Sequence, residues 1–391
     1  MTSLAESIAG TTEALPFSDI NGIPIQGDSQ SLLEAAVRLF EQCLSRQEVQ
    51  YAESSKQETS FSTLQEDDGG VLLDQTSAGP ATPTASTSEE TPEEQWASVV
   101  EPVTAQTLLD TICALLETLS TTCSILAPTN PSVLTTTSTI ADTLLSTKLP
   151  LYLNDTTATT HAEVWLTIAH FRTSHLEASY RVGAIDISTY SSTITSIYAN
   201  TSFAPSTVPQ TSAYLTSHAD ALIAFNGALS DTASSDPSIP NARWTALTSA
   251  LTLLTSASKA PDATNVPEIH IGRGDVELLR LQTTFASAPG LSESLANDKT
   301  RATLLKNAET YYRGAINVAR ASVMYSQAPV VGVARVKRAV VEGLMGGEAG
   351  TLRELLRGPD AVGVEMVKEV VGDMEEEGLL TGEQRGLVLG A

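Results

Sequence analysis

The side chains able to do chemistry in this chain are few and poorly spaced for it. Three of the five histidines fall in one segment, HAEVWLTIAHFRTSHLEASYR, as His161, His170 and His175, with Glu163 beside the first. A helix offers two imidazoles to one metal ion at i,i+3 or i,i+4 spacing. Neither His161 to His170 nor His170 to His175 has that interval, and no His-Glu-x-x-His occurs. The Gly-rich GLMGGEAGT, Gly343 to Thr351, lacks the preceding strand and the lysine of a phosphate loop, and reads as a turn between helices. The acidic runs Glu89-Glu90, Glu93-Glu94 and Glu375-Glu376-Glu377 read as solvated faces, not as an acid and base set apart around a substrate. Cys43, Cys113 and Cys123 have no metal spacing. Each sits in an apolar helical pattern, as a small buried hydrophobe in a reducing compartment would. The expectation is therefore no catalytic residue, no metal and no cofactor. An enzyme would need a site dispersed over several helices, with His170, His175 or His218 converging on carboxylates in a closed pocket.

What the chain does carry is charge. Its 391 residues have a formal net charge of −24. Such a surface repels phosphates and anionic headgroups, which argues against nucleic acid and membrane as partners and for a basic protein. The charge is uneven. Through Thr160 the only basic residues are Arg38, Arg46, Lys56 and Lys148, against about twenty acidic ones, whereas basic residues are dense from Lys299 onward. Arg335-Val336-Lys337-Arg338 reads first as a solvated helix face and second as a weak nuclear-import signal. The start, MTSLAESIAGTTEALPF, has neither the basic nor the apolar region of a secretory leader. No run approaches 18 apolar residues. The expected location is the cytoplasm, the nucleus or both.

The elements that must position these residues are helices. Apolar residues recur at steps of three and four almost throughout, and period-two alternation is nearly absent. Residues 1–27 read as a flexible arm and 28–53 as a first helix with Leu32, Leu33, Ala36, Leu39, Phe40, Cys43 and Leu44 on its stripe. Residues 54–94, rich in Ser, Thr, Pro and Glu, read as a disordered acidic insertion. Residues 95–328 form the helical core, and 329–391 contribute short helices packed on it. Thr104 is a candidate cap, Pro150 is expected to end a helix, and SKAPDATNVPEIHIGRG is expected to be a loop. The β-branched ISTYSSTITSIYANTSF is a helix by the spacing of Ile187, Tyr190, Ile194, Ile197 and Tyr198.

Within NAETYYRGAINVAR, Ala308, Tyr312 and Ala315 make a small-aromatic-small pattern. Ala36, Phe40, Cys43 and Ala221, Phe225, Ala228 have the same spacing, and Trp165 and Trp244 each precede a small apolar cluster. This resembles the second helix of a tetratricopeptide repeat, where the small residues let paired helices approach and the aromatic fills the gap between pairs. The three matches are not set at multiples of 34 residues, and Arg320 stands where the family's closing proline falls. The fold expected is all-α, with antiparallel helical hairpins stacked as a tetratricopeptide-like α-solenoid or gathered in an irregular bundle. With its acidity the chain resembles in type the acidic helical-repeat assembly chaperones of fungi, which escort basic ribosomal proteins or histones. That resemblance implies a non-enzymatic scaffold or chaperone with a basic client, for example in ribosome biogenesis. A structural adaptor subunit of a larger complex is the alternative. By helical phase, Glu117, Asp142, Glu163, Glu177 and Asp220 are the candidate client-binding residues.

Overall fold

In the computed structural model, the residues described are 17–18, 24–25, 29–62, 102–199, 211–231, 236–263, 266–285, 293–322, 329–346, 355 and 362–389. The acidic insertion expected at 54–94 lies outside them beyond residue 62, as does nearly all of the TLRELLRG segment. The protein is all-α. The one strand pairing among the described residues is a two-residue antiparallel bridge, β1 (Phe17–Ser18) with β2 (Pro24–Ile25), inside the expected N-terminal arm.

The helices, in chain order, are α1 (Ser29–Ser62), α2 (Ala105–Leu126), α3 (Ser132–Thr143), α4 (Leu149–Leu153), α5 (Ala158–Arg181), α6 (Ile187–Ala199) and α7 (Ser212–Asp231). They continue with α8 (Ile239–Ala257), α9 (Pro267–Phe285), α10 (Asp298–Ala321), α11 (Pro329–Leu344), α12 (Val364–Glu376) and α13 (Gly382–Leu389). The main packing order is α1, α2, α5, α7, α8, α9, α10, α11, α12, with α3, α4 and α6 lying beside this row. Shared helices join three apolar clusters along it. Helix α5 turns Val164, Ile168 and Phe171 into the first cluster and Trp165, Ala169 and Leu176 into the second. Helix α8 gives Ile239 and Ala246 to the second and Leu247, Ala250 and Leu254 to the third. A helix apolar on two faces is what a row of stacked elements requires. Start to start, the helix pairs from α5 onward occupy roughly 54 to 62 residues, against 34 for a tetratricopeptide unit.

Local chemistry explains why so hydroxyl-rich a chain is helical. Along α2, the hydroxyls of Thr118, Ser120, Thr122 and Ser124 donate to the carbonyl four residues back, so they need no water. Thr104 caps α2, accepting from the Thr107 amide at 3.2 Å, as expected. Helix α2 is also the one described helix long and apolar enough to cross a membrane. Its apolar face, including Leu108, Ile112, Leu115 and Leu119, is buried in the first cluster.

Four expectations change. First, helix α1 runs to Ser62, past the boundary expected at 53, and its inner face is Val37, Phe40, Leu44 and Tyr51, set against α2. Cys43 is consequently exposed, not buried, and the Ala36-Phe40-Cys43 match is not a packing triad. The other two triads are buried, Ala308, Tyr312 and Ala315 completely. Second, Pro150 does not end its helix. A π-turn at Leu144–Lys148, in which the Leu149 amide donates to Leu144 O, carries the chain into α4 with the proline in its first turn. Third, the loop expected over 258–274 is non-helical at 258–263 and 266, but from Pro267 it is the first half of α9, with Gly272, Arg273, Gly274 and Asp275 all helical. Gly274 is there for close packing, because a Cβ would lie 2.5 Å from the ring of Tyr312. Fourth, the Arg335–Arg338 stretch is not a solvated face. Lys337 is buried and Arg338 pairs with Glu309 and Glu342.

Candidate functional site: an acidic cleft

Among the described residues, an open cleft of about 780 Å³ lies between α2, α5, α6, α7, α8 and α9. Its walls present Glu117 from α2, Glu177 from α5, Asp220 from α7 and Glu268 from α9, together with His170. Among the described residues no Lys or Arg lines it. Its floor includes the apolar side chains of Leu166, Ala221, Leu254, Val266 and Ile269.

Each carboxylate arrives there for a local reason. Glu117 and Asp220 are the exposed positions of helices whose opposite faces are core. Glu268 follows Pro267 in the first turn of α9, where a proline fits and a negative charge meets the positive end of the helix dipole. Glu177 is balanced by Arg181 at 2.9 Å, which also holds Asp231 at 2.6 Å. Glu117, Asp220 and Glu268 have no ion pair among the described residues.

Asp220 is perturbed by its surroundings. Its carboxyl is pushed from 3.8 up to about 6 by desolvation alone. By surface area it is exposed. The two facts are compatible in a concave wall: water reaches the oxygens, but protein on the remaining sides denies them a full hydration shell. Tyr190 and Tyr198 line the cleft, and further aromatic rings pack beside them. Trp165 stacks on Tyr214 at 5.0 Å, Tyr198 stacks on His218 at 4.2 Å, and the Tyr198 hydroxyl lies 2.8 Å from both the carbonyl and the hydroxyl of Ser217. Burial pushes the Tyr198 phenol up to about 12 and the Tyr190 phenol higher still, so both stay neutral.

The candidate residues thus divide. Glu117, Glu177 and Asp220 come together in the cleft. Glu163 is exposed on α5, next to it. Its charge reaches the Cys113 thiol, which is pushed up to about 11 by burial first, against a hydrogen bond from Thr167, and then by Glu117, Asp110 and Glu163. Asp142 is exposed on α3 and does not line the cleft. Glu268 is the carboxylate sequence reasoning missed; the Pro-Glu helix start was the signal that could have revealed it.

The histidines do not converge. His170 lines this cleft. His218 lines a second groove, of about 760 Å³ between α6, α7 and α8, with no Asp, Glu, Lys or Arg among its lining residues; burial pushes this imidazole below its usual range. His175 Nε2 meets the Leu134 carbonyl at 3.0 Å, and His161 Nε2 meets that of Leu153 at 2.7 Å. No group of three or more His, Cys, Asp or Glu side chains among the described residues could hold a metal ion.

The C-terminal half is electrostatically different. Lys337 Nζ donates to both oxygens of Asp275 at 2.9 and 3.0 Å, the Tyr312 hydroxyl donates to Asp275 at 2.7 Å, and Glu377 lies 3.6 Å from the ammonium. Buried Glu309 meets Lys306, Arg338 and Arg313 at 3.1, 3.2 and 3.5 Å. Lys337 with Asp275 and Arg338 with Glu309 fasten neighbouring helices, while Lys306 and Arg313 meet Glu309 within α10. Comparison with protein-family models, with curated proteins and with solved structures finds no match.

Proposed function

We propose that this protein is a non-enzymatic binding protein, a scaffold or chaperone, whose acidic cleft receives a basic segment of a client protein. The observation that carries this reading is the lining of the cleft: four carboxylates from four helices, with three of them unpaired and no Lys or Arg among the described lining residues. A cation entering the cleft meets convergent negative charge in a partly desolvated site, where attraction exceeds that on an open surface. Behind the cleft α5 packs on α7, α7 on α8 and α8 on α9, which supports an extended binding face of the kind helical arrays present. Basic proteins such as ribosomal proteins and histones have the required chemistry.

The test is direct. A labelled Lys/Arg-rich peptide is titrated with the full-length protein by fluorescence anisotropy at low and high salt. Screening over about 10 Å at 0.1 M salt predicts binding that weakens steeply as salt rises. Replacing both Glu117 and Asp220 by Lys should abolish it. Binding unaffected by salt and by the double substitution would mean that the cleft is not the client site.

A further inference from the structure

The cleft's walls and floor differ in chemistry. Carboxylates stand on the walls, and between them Leu166 and Val266 are only partly buried, beside the buried Ala221, Leu254 and Ile269. A purely polybasic chain would satisfy the walls and leave this apolar surface wet. An apolar chain would cover the floor and leave unpaired carboxylates facing it. The volume of about 780 Å³ is that of a site for a short segment, not for the face of a folded domain. The second groove is similar in size but offers hydroxyls and apolar groups, with no carboxylate to attract a basic chain.

Resting on the reading of the cleft as a basic-segment site, we infer that its ligand is a short amphipathic basic segment. Lys or Arg side chains of that segment reach Glu117, Asp220 and Glu268, and apolar side chains between them lie on the floor at Leu166, Val266 and Ile269. The aliphatic stems of the basic residues extend along the same apolar surface with their charged heads at the walls. Charge supplies the attraction; the floor selects segments that interleave apolar and basic residues, and discriminates against polybasic tails of equal charge.

The test compares three labelled peptides of equal length by anisotropy against the full-length protein, at low and high salt. One alternates Lys with Leu at helical spacing, the second has Ser in place of each Leu, and the third has Glu in place of each Lys. The Lys/Leu peptide should bind about tenfold more tightly than the Lys/Ser peptide. Val266→Thr, a near-isosteric change at a partly buried position, should weaken the Lys/Leu peptide several-fold and the Lys/Ser peptide, which touches the floor only with its Lys stems, much less. Leu166→Asn should act the same way. Equal affinity for the two basic peptides overturns this inference and leaves the acidic-cleft function standing. Binding of neither basic peptide, or equal binding of the Lys/Leu and Glu/Leu peptides, overturns both.

Discussion

Replacing Asp220 by Asn tests whether the cleft holds a charge that the folded chain does not compensate. The cleft that Asp220 lines also carries Glu117 from α2, His170 and Glu177 from α5, Tyr198 from α6 and Glu268 from α9; none is a Lys or Arg, and of these Tyr198 feels the charge of Asp220. Desolvation raises its carboxyl from 3.8 to about 6 on folding. The folded state therefore binds more protons than the unfolded state between about pH 4 and pH 6, and stability falls as pH rises through that window. Above it, the ionised carboxylate is a standing penalty that Asn removes. A shift of this size in a site closed to water would correspond to about 3 kcal/mol, at roughly 1.4 kcal/mol per pKa unit. Water reaches Asp220, so the discount for exposed charges applies and the expected gain is about 1 kcal/mol. Urea unfolding at pH 8 should show Asp220→Asn more stable than the parent by about that amount, and at pH 4 the two should coincide. The same variant should bind the basic peptide more weakly at pH 8. A variant that is destabilised at pH 8, or whose gain is equal at both pH values, would refute the argument. Stabilisation together with lost binding is the signature of a residue kept for function at the expense of the fold.

Two further predictions concern the C-terminal half. Lys337→Met should destabilise the protein by about 3 to 5 kcal/mol in chemical denaturation at neutral pH, because it leaves Asp275 and Glu377 without their buried cation. Burial opposes the ammonium, but Asp275 and Glu377 outweigh it and raise its pKa above 10.5, so this stabilisation is present below pH 10.5 and lost as pH rises through the folded value. Gly274→Ala and Gly227→Ala should have opposite signs, although both are mid-helix. The first drives a Cβ into the buried Tyr312 ring and should cost about 1 to 3 kcal/mol despite alanine's better helix propensity, whereas the second meets nothing within 4 Å and should gain about 0.5 to 1 kcal/mol, both read from urea midpoints.

Helices were legible wherever apolar spacing was unbroken. The segment around Ile194 became a helix despite its β-branched residues because its buried side chains, Tyr190, Ile194, Ile197 and Tyr198, keep the helical period. Where the period met a punctuating residue, tertiary packing overrode the local signal. Gly272 and Gly274 looked like loop residues, yet both are helical, and Gly274 permits α9 to approach Tyr312 closely. Pro150 looked like a stop, and a π-turn absorbed it. The cleft was legible in part. Helical phase identifies an exposed carboxylate, but it cannot tell which exposed face looks across at another wall. Glu117 and Asp142 satisfy the same phase rule; the packing of α5 and α7 against neighbouring helices puts only the first in a concavity.

The asymmetry of charge along the chain acquires a physical meaning from the pairing pattern. The basic residues concentrated after Lys299 do not form a free basic surface at Lys306, Arg313, Lys337 or Arg338. They neutralise Glu309, Asp275, Glu342 and Glu377 in the joints between α9, α10, α11 and the end of α12. Asp275 and Glu309 are structural there, and removing Lys337 or Arg338 should destabilise that half. In the front half, lysines and arginines are scarce, and the pairs Glu48 with Lys148 and Glu177 with Arg181 use two of them. Glu117, Asp220 and Glu268 are left uncompensated, and they line one cleft. An acidic surplus kept only for solubility would be dispersed over convex surface, where repulsion between carboxylates is least. Three unpaired carboxylates of this chain instead line one concavity beside apolar side chains, and the proposed basic amphipathic segment would meet both at once.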